Sequence, residues 1–84
     1  MKESKTTQER LSEILEDSGI RPEFITDEAL LREDLGIDSL DHVEIGMQIE
    51  EEFDIDIPDG DLWEADTVGK MKQLIDRLSA VEAE

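Results

Sequence analysis

"DSLDHVEIGMQIEEEF", residues Asp38–Phe53, is the stretch whose reading decides the fold. Asp38 stands where a helix cap belongs, because its carboxylate can accept bonds from the free amides of a first turn. Beyond it the apolar residues recur at helical spacing, which predicts a helix from Asp38 or Ser39 to Phe53. With residues placed about 100° apart, Ile45, Ile49 and Phe53 share one side, with His42 and Gly46 beside them. Leu40, Val43 and Met47 fall on nearly the opposite side, flanked by Asp41, Glu44, Glu50 and Glu51. One stripe faces a core. Eighty-four residues make one small domain with one modest core, so the other stripe has nothing of its own to cover.

The flanking segments read as further helices. "TTQE" at Thr6–Glu9 offers a capping box, and Leu11, Ile14 and Leu15 then give one apolar face. Gly19 and Pro22 end that helix. From Ile20 to Ile37 the pattern is irregular, and a loop of this length needs packing of its own. Phe24, Ile25, Leu30, Leu31, Leu35 and Ile37 are its candidates for burial, with a short helical turn near Asp27–Arg32. "FDIDIP" alternates like a strand, but it has no partner strand and reads as an extended connector ending at Pro58. A short helix from Asp59 to about Ala65 and a longer one from Asp66 or Thr67 to about Ala80 follow. Val68, Met71, Ile75 and Leu78 form the inner face of the last. The ordered core is expected over about residues 6–80 of a single domain, 1–84, with frayed ends at Met1–Lys5 and Val81–Glu84.

Charge narrows the function. The net charge is −17, which excludes nucleic acid as a partner, since phosphate backbones require basic surfaces. From Glu33 to Gly69 there are 14 Asp and Glu and no Lys or Arg, a one-sign surface suited to basic partners. The chain has no cysteine, hence no disulfides or thiolate metal sites. No apolar run approaches a membrane span and the first residues do not form a signal peptide, so a soluble cytoplasmic monomer without membrane insertion is expected.

The residues that could carry chemistry are few. Ser39 and His42 are three apart on the predicted helix, but a hydrolase would also need an orienting third group, an oxyanion hole and a pocket, and no G-x-S-x-G elbow surrounds the serine. His42 reads instead as a helix-surface or boundary residue, and no catalytic residue is assigned. "DIDIPDGDLWE" fails the calcium-loop pattern, with Pro58 and Asp59 at positions that demand a ligand and a glycine, so no dedicated metal site is expected. Weak binding of magnesium or calcium to crowded carboxylates is. Ser39 remains as a hydroxyl to be acted upon: Asp38 can cap the helix without it, and a helix start favours an attached phosphate.

"EDLGIDSLDHVEIGMQIEEEFDIDIPD", Glu33–Asp59, resembles the acyl carrier proteins of fatty-acid and polyketide synthesis. The D-S-L core, the acidic helix and the "EEEFDIDIP" ending carry the likeness, which extends more weakly from about Glu9 to Leu78. The resemblance implies an all-α four-helix bundle with a short third helix and a long loop between the first two. It implies 4′-phosphopantetheine, transferred from coenzyme A to Ser39 by a phosphopantetheinyl transferase, with acyl cargo held as a thioester on its thiol. It also implies that Asp38, Leu40, Asp41, Val43, Glu44, Met47, Glu50 and Glu51 are read by basic patches on acyl-transferring and acyl-modifying enzymes. The protein would then be a carrier and no enzyme. A carrier of aminoacyl groups and a non-carrier acidic adaptor are the alternatives. Two positions depart from the family. Gly46 replaces a branched apolar residue, leaving room for a bulky cargo with Ala65 or being compensated by Leu62. Trp63 replaces a polar residue and either packs on Phe53 or contacts a partner.

Overall fold

The computed structural model describes residues 6–83, and side chains to residue 79. Four helices make the frame: α1 (Thr7–Asp17), α2 (Ser39–Phe53), α3 (Asp59–Glu64) and α4 (Val68–Ala83). The architecture is the expected all-α bundle with a short third member. α4 continues three residues past its predicted end, as helix to Ala83; the fraying expected at Met1–Lys5 and Glu84 lies outside the described residues.

The helix ends follow local chemistry. The Thr6 hydroxyl accepts from the Glu9 amide at 3.1 Å while the Glu9 carboxylate accepts from the Thr6 amide at 3.0 Å, the reciprocal box that satisfies two orphan donors. Gly19 takes a φ of +100°, open to glycine without strain, and turns the chain out of α1. The Thr67 hydroxyl accepts from the Lys70 amide at 3.1 Å and starts α4. α2 ends at Asp54 in the left-handed conformation, which the short polar side chain of Asp tolerates.

The connector Ile55–Pro58 is extended, as expected, and Glu50 holds it in place. The Glu50 carbonyl accepts from Ile55 at 3.2 Å and its carboxylate accepts from the Ile57 amide at 2.8 Å. These bonds stand in for the missing strand partner and let Ile55 and Ile57 turn into the core.

The long loop differs from its sequence reading in two respects. The single turn of helix lies at Pro22–Phe24, as a 3-10 turn, and residues 27–35 form successive hydrogen-bonded turns instead of a helix. The physical reason is tertiary. The Leu31 amide donates to the Asp66 carbonyl, Val68 to Ala29 and Gly69 to Asp27, at 2.9, 3.1 and 2.9 Å, so the loop spends its backbone groups on the start of α4. Phe24, expected inside, is 52 % exposed; Leu31 and Ile37 are buried as expected, Ile25, Leu30 and Leu35 partly so, and Ala29 joins them.

The core brings together Leu11 and Leu15 of α1, Ile45 and Ile49 of α2, and Met71 and Ile75 of α4, each nearly inaccessible. Leu74 joins the predicted inner face of α4, while Leu78 is only partly buried. Arg10 ties α1 to the end of α2: its guanidinium lies 4.3 Å from the centre of the Phe53 ring and 3.0 Å from the Glu52 carboxylate.

Gly46 has a clear structural explanation. A Cβ there would lie 2.9 Å from Leu62 Cδ1 and 3.2 Å from Cδ2. Leu62 of α3 therefore fills the space that a side chain on α2 would take, and compensation replaces the idea of a vacant pocket at this position.

Candidate functional site

α2 opens at the molecular surface. The Asp38 carboxylate accepts from the Asp41 amide at 2.8 Å, so the cap is made without the Ser39 hydroxyl. Ser39 is exposed in the first turn of α2, where the remaining amides and the positive end of the dipole favour an anion. Beside it a shallow depression is lined by Arg32, Gly36, Ile37, Asp38 and Ser39.

Along the outer face of α2, Leu40 is 69 % and Met47 58 % exposed, unusual for large apolar side chains. Asp38, Asp41, Glu44 and Glu51 are exposed around them, and Val43 is half-buried. Glu50 stands apart from this group, since its carboxylate turns back to the Ile57 amide.

His42 departs from its sequence reading. It is buried, at 2 % exposure, and not a surface residue. Its position beside Ile45 and Ile49 on the helical wheel was the available signal. The backbone of Leu62, whose amide donates to the Pro58 carbonyl at 3.0 Å, is set against its imidazole. Trp63 closes over the imidazole edge-on, ring centres 4.9 Å apart at 77°. At 45 % exposure it is a rim residue rather than core, and the face of Phe53 that it was expected to meet belongs to Arg10.

Chemically this is a presented hydroxyl above an acidic and apolar face. A match to known families agrees with it: the model of the phosphopantetheine attachment site covers residues 9–75. The chain belongs to that family. Its prosthetic group is accordingly 4′-phosphopantetheine, bound covalently, and its role is that of a phosphopantetheine carrier. Carriers of this family work with a phosphopantetheinyl transferase and with acyl-handling enzymes. Among the described residues no helix is long and apolar enough to cross a membrane.

Burial holds the His42 imidazole below its ordinary value of 6.5, the Leu62 backbone opposing and Arg32 adding to the effect, with Asp66 acting the other way. Below about pH 6.5 the unfolded chain therefore binds more protons than the folded one. Stability from this group is complete above that pH and falls as the pH drops through it. His42 is the only histidine. Between pH 7.5 and 5.5 the urea midpoint of the wild type is expected to fall relative to that of His42→Gln; equal slopes would contradict it.

Proposed function

We propose that Ser39 carries the 4′-phosphopantetheine group and that the chain, as a single carrier domain, delivers acyl intermediates to cytoplasmic enzymes of fatty-acid, lipid or polyketide synthesis. The observation that supports this most is the exposed Ser39 hydroxyl at the start of α2, released from capping by Asp38. The residues present fit the group: first-turn amides and the nearby Arg32 suit a phosphodiester. When bound, the group supplies the thiol that this cysteine-free chain lacks, and cargo rides on it as a thioester.

Asp38, Leu40, Asp41, Val43, Glu44, Met47 and Glu51 act as the docking face, and Glu50 supports it from behind through the connector. Carboxylates steer basic partners at rates that fall with salt, and Leu40 and Met47 supply the apolar contact. Contacts of this kind favour short visits, which suits one carrier serving several enzymes. Catalysis belongs to the partners.

Incubation with coenzyme A and a broad-specificity phosphopantetheinyl transferase tests the attachment. A mass gain of one phosphopantetheinyl group is expected, and Ser39→Ala is expected to abolish it. An unmodified wild type alongside a control carrier that loads would reject the proposal.

A further inference from the structure

α3 has the least to hold it in place. Its six residues are too few to be stable alone, and Pro58 at its start supplies no side-chain cap. The most deeply buried side chains, Leu11, Leu15, Ile45, Ile49, Met71 and Ile75, all come from α1, α2 and α4. α3 is tied to the rest by Leu62 in the notch at Gly46, by Trp63 edge-on to His42, and by Asp61 paired with Arg77 at 3.2 Å. That ion pair is largely exposed and contributes little. The seat of α3 therefore rests on Leu62 and on the contact between the two rings.

His42 is badly placed to carry a charge. It is buried, and its Nε2 has no hydrogen-bond partner among the described residues. Both ring nitrogens bear a proton in the imidazolium, whichever one holds it in the neutral ring. Protonation therefore puts a charged N–H at Nε2 with nothing to accept it, and a buried unpaired charge is costly. The surrounding groups supply no clear counter-charge. The loop brings Arg32, which opposes a second cation, and Glu33, while the junction of α3 and α4 brings Asp66, which favours one. α3 itself presents the uncharged Leu62 backbone and Trp63, and on α2 the Asp38 carboxylate is turned to the Asp41 amide. An aromatic ring attracts a cation, but less strongly than burial penalises an unpaired one.

We propose that His42 is a proton-sensitive latch on α3: neutral, it seats Trp63 and keeps α3 against α2; protonated, it releases α3 while the core of α1, α2 and α4 stays folded. Weakly held elements open in this way without global unfolding. A cavity of about 190 Å³, lined by His42, Trp63, Arg32 and Asp66 among others, adjoins the ring and gives the imidazolium its way to water once Trp63 lifts. The open form binds the proton with the ordinary value near 6.5 and the closed form with a lower one. Opening is therefore favoured as the pH falls through 6.5, by up to about tenfold per pH unit until the closed-form value is reached. The latch is independent of the attachment at Ser39, and it is tested on the unmodified chain.

Amide exchange of the full chain, read by residue as protection factors from pH 7.5 to 5.5, is the test, with the His42 ring titrated in the same samples. Histidine is the side chain whose ordinary value falls in that window, and His42 and Trp63 are the only histidine and tryptophan. The Leu62 and Ala65 amides donate to Pro58 and Asp61, and their protection is expected to fall by up to about tenfold. Amides inside α1, α2 and α4 are expected to keep theirs, and Trp63 emission to move toward that of indole in water over the same range. His42→Gln, which cannot take the proton, is expected to show neither pH-dependent change. His42→Phe provides the same comparison if glutamine loosens α3 at every pH. Unchanged protection of Leu62 and Ala65 would overturn the latch, as would a His42 midpoint at or above 6.5, since the closed form would then welcome the cation. Protection lost along the whole chain would mean global unfolding, and an equal loss in both variants would assign the effect to carboxylates; either outcome rejects the proposal.

Discussion

Leu62→Ala is expected to cost about 2–5 kcal/mol, and Gly46→Val introduced with it to return part of that loss. Domains of this length have stabilities of about 4–13 kcal/mol, so the single substitution would remove a large share. Leu62 is 8 % exposed and its two terminal methyls occupy the notch above Gly46. Removing them leaves a void where α3 packs on α2 at this glycine. Gly46→Val alone is expected to cost about 1–3 kcal/mol, because its branch would enter the space of Leu62 and push α3 outward. Together the two changes move the bulk from one helix to the other. Their coupling, read from urea denaturation of the four proteins, is expected at about 0.5–3 kcal/mol in the favourable direction. Strict additivity would show that the two positions do not share one space.

Millimolar magnesium or calcium is expected to raise the melting temperature by about 5–10 °C at low ionic strength. The source is the net charge of −17, whose self-repulsion weakens the compact state. Glu52, Asp61 and Asp66 are matched by Arg10, Arg77 and Lys70. The exposed carboxylates of the α2 face, among them Asp38, Asp41, Glu44 and Glu51, have no lysine or arginine within their own stretch of chain. Diffuse occupancy at about ten times the dissociation constant contributes about 1.4 kcal/mol, and each kcal/mol moves a domain of this size by about 4–8 °C. Sodium chloride at matched ionic strength is expected to do less, since it screens without the double charge. Melting curves that coincide in magnesium, calcium and sodium would contradict this account.

Both expectations show where the reading of the sequence stopped. The Gly46 departure was visible, but two explanations survived until Leu62 was found against it. The one-sign window was visible too, and it overstated the isolation of its acids. Two of them, Glu52 and Asp61, reach cations far along the chain, Asp66 pairs with Lys70 just past the window, and one acid, Glu50, is turned to a backbone amide. Ser39 was legible because a cap, an exposed hydroxyl and an acidic helix are all local features. Arg32 drew no notice because it falls just before the acidic window, and only folding sets it beside Ser39.

What the sequence alone determined was the set of helices, their starts and the two-sided character of α2. Capping and helical periodicity act between residues at most four apart, so a short window contains them. What only the tertiary structure decided was how the loop straps onto α4, why His42 is buried under Trp63, and that Arg32 comes to lie next to the presented serine. Those outcomes depend on which elements meet across the bundle, and the energy of such meetings lies in packing and desolvation between distant residues. The helical wheel hinted at the burial of His42; no local pattern records the rest.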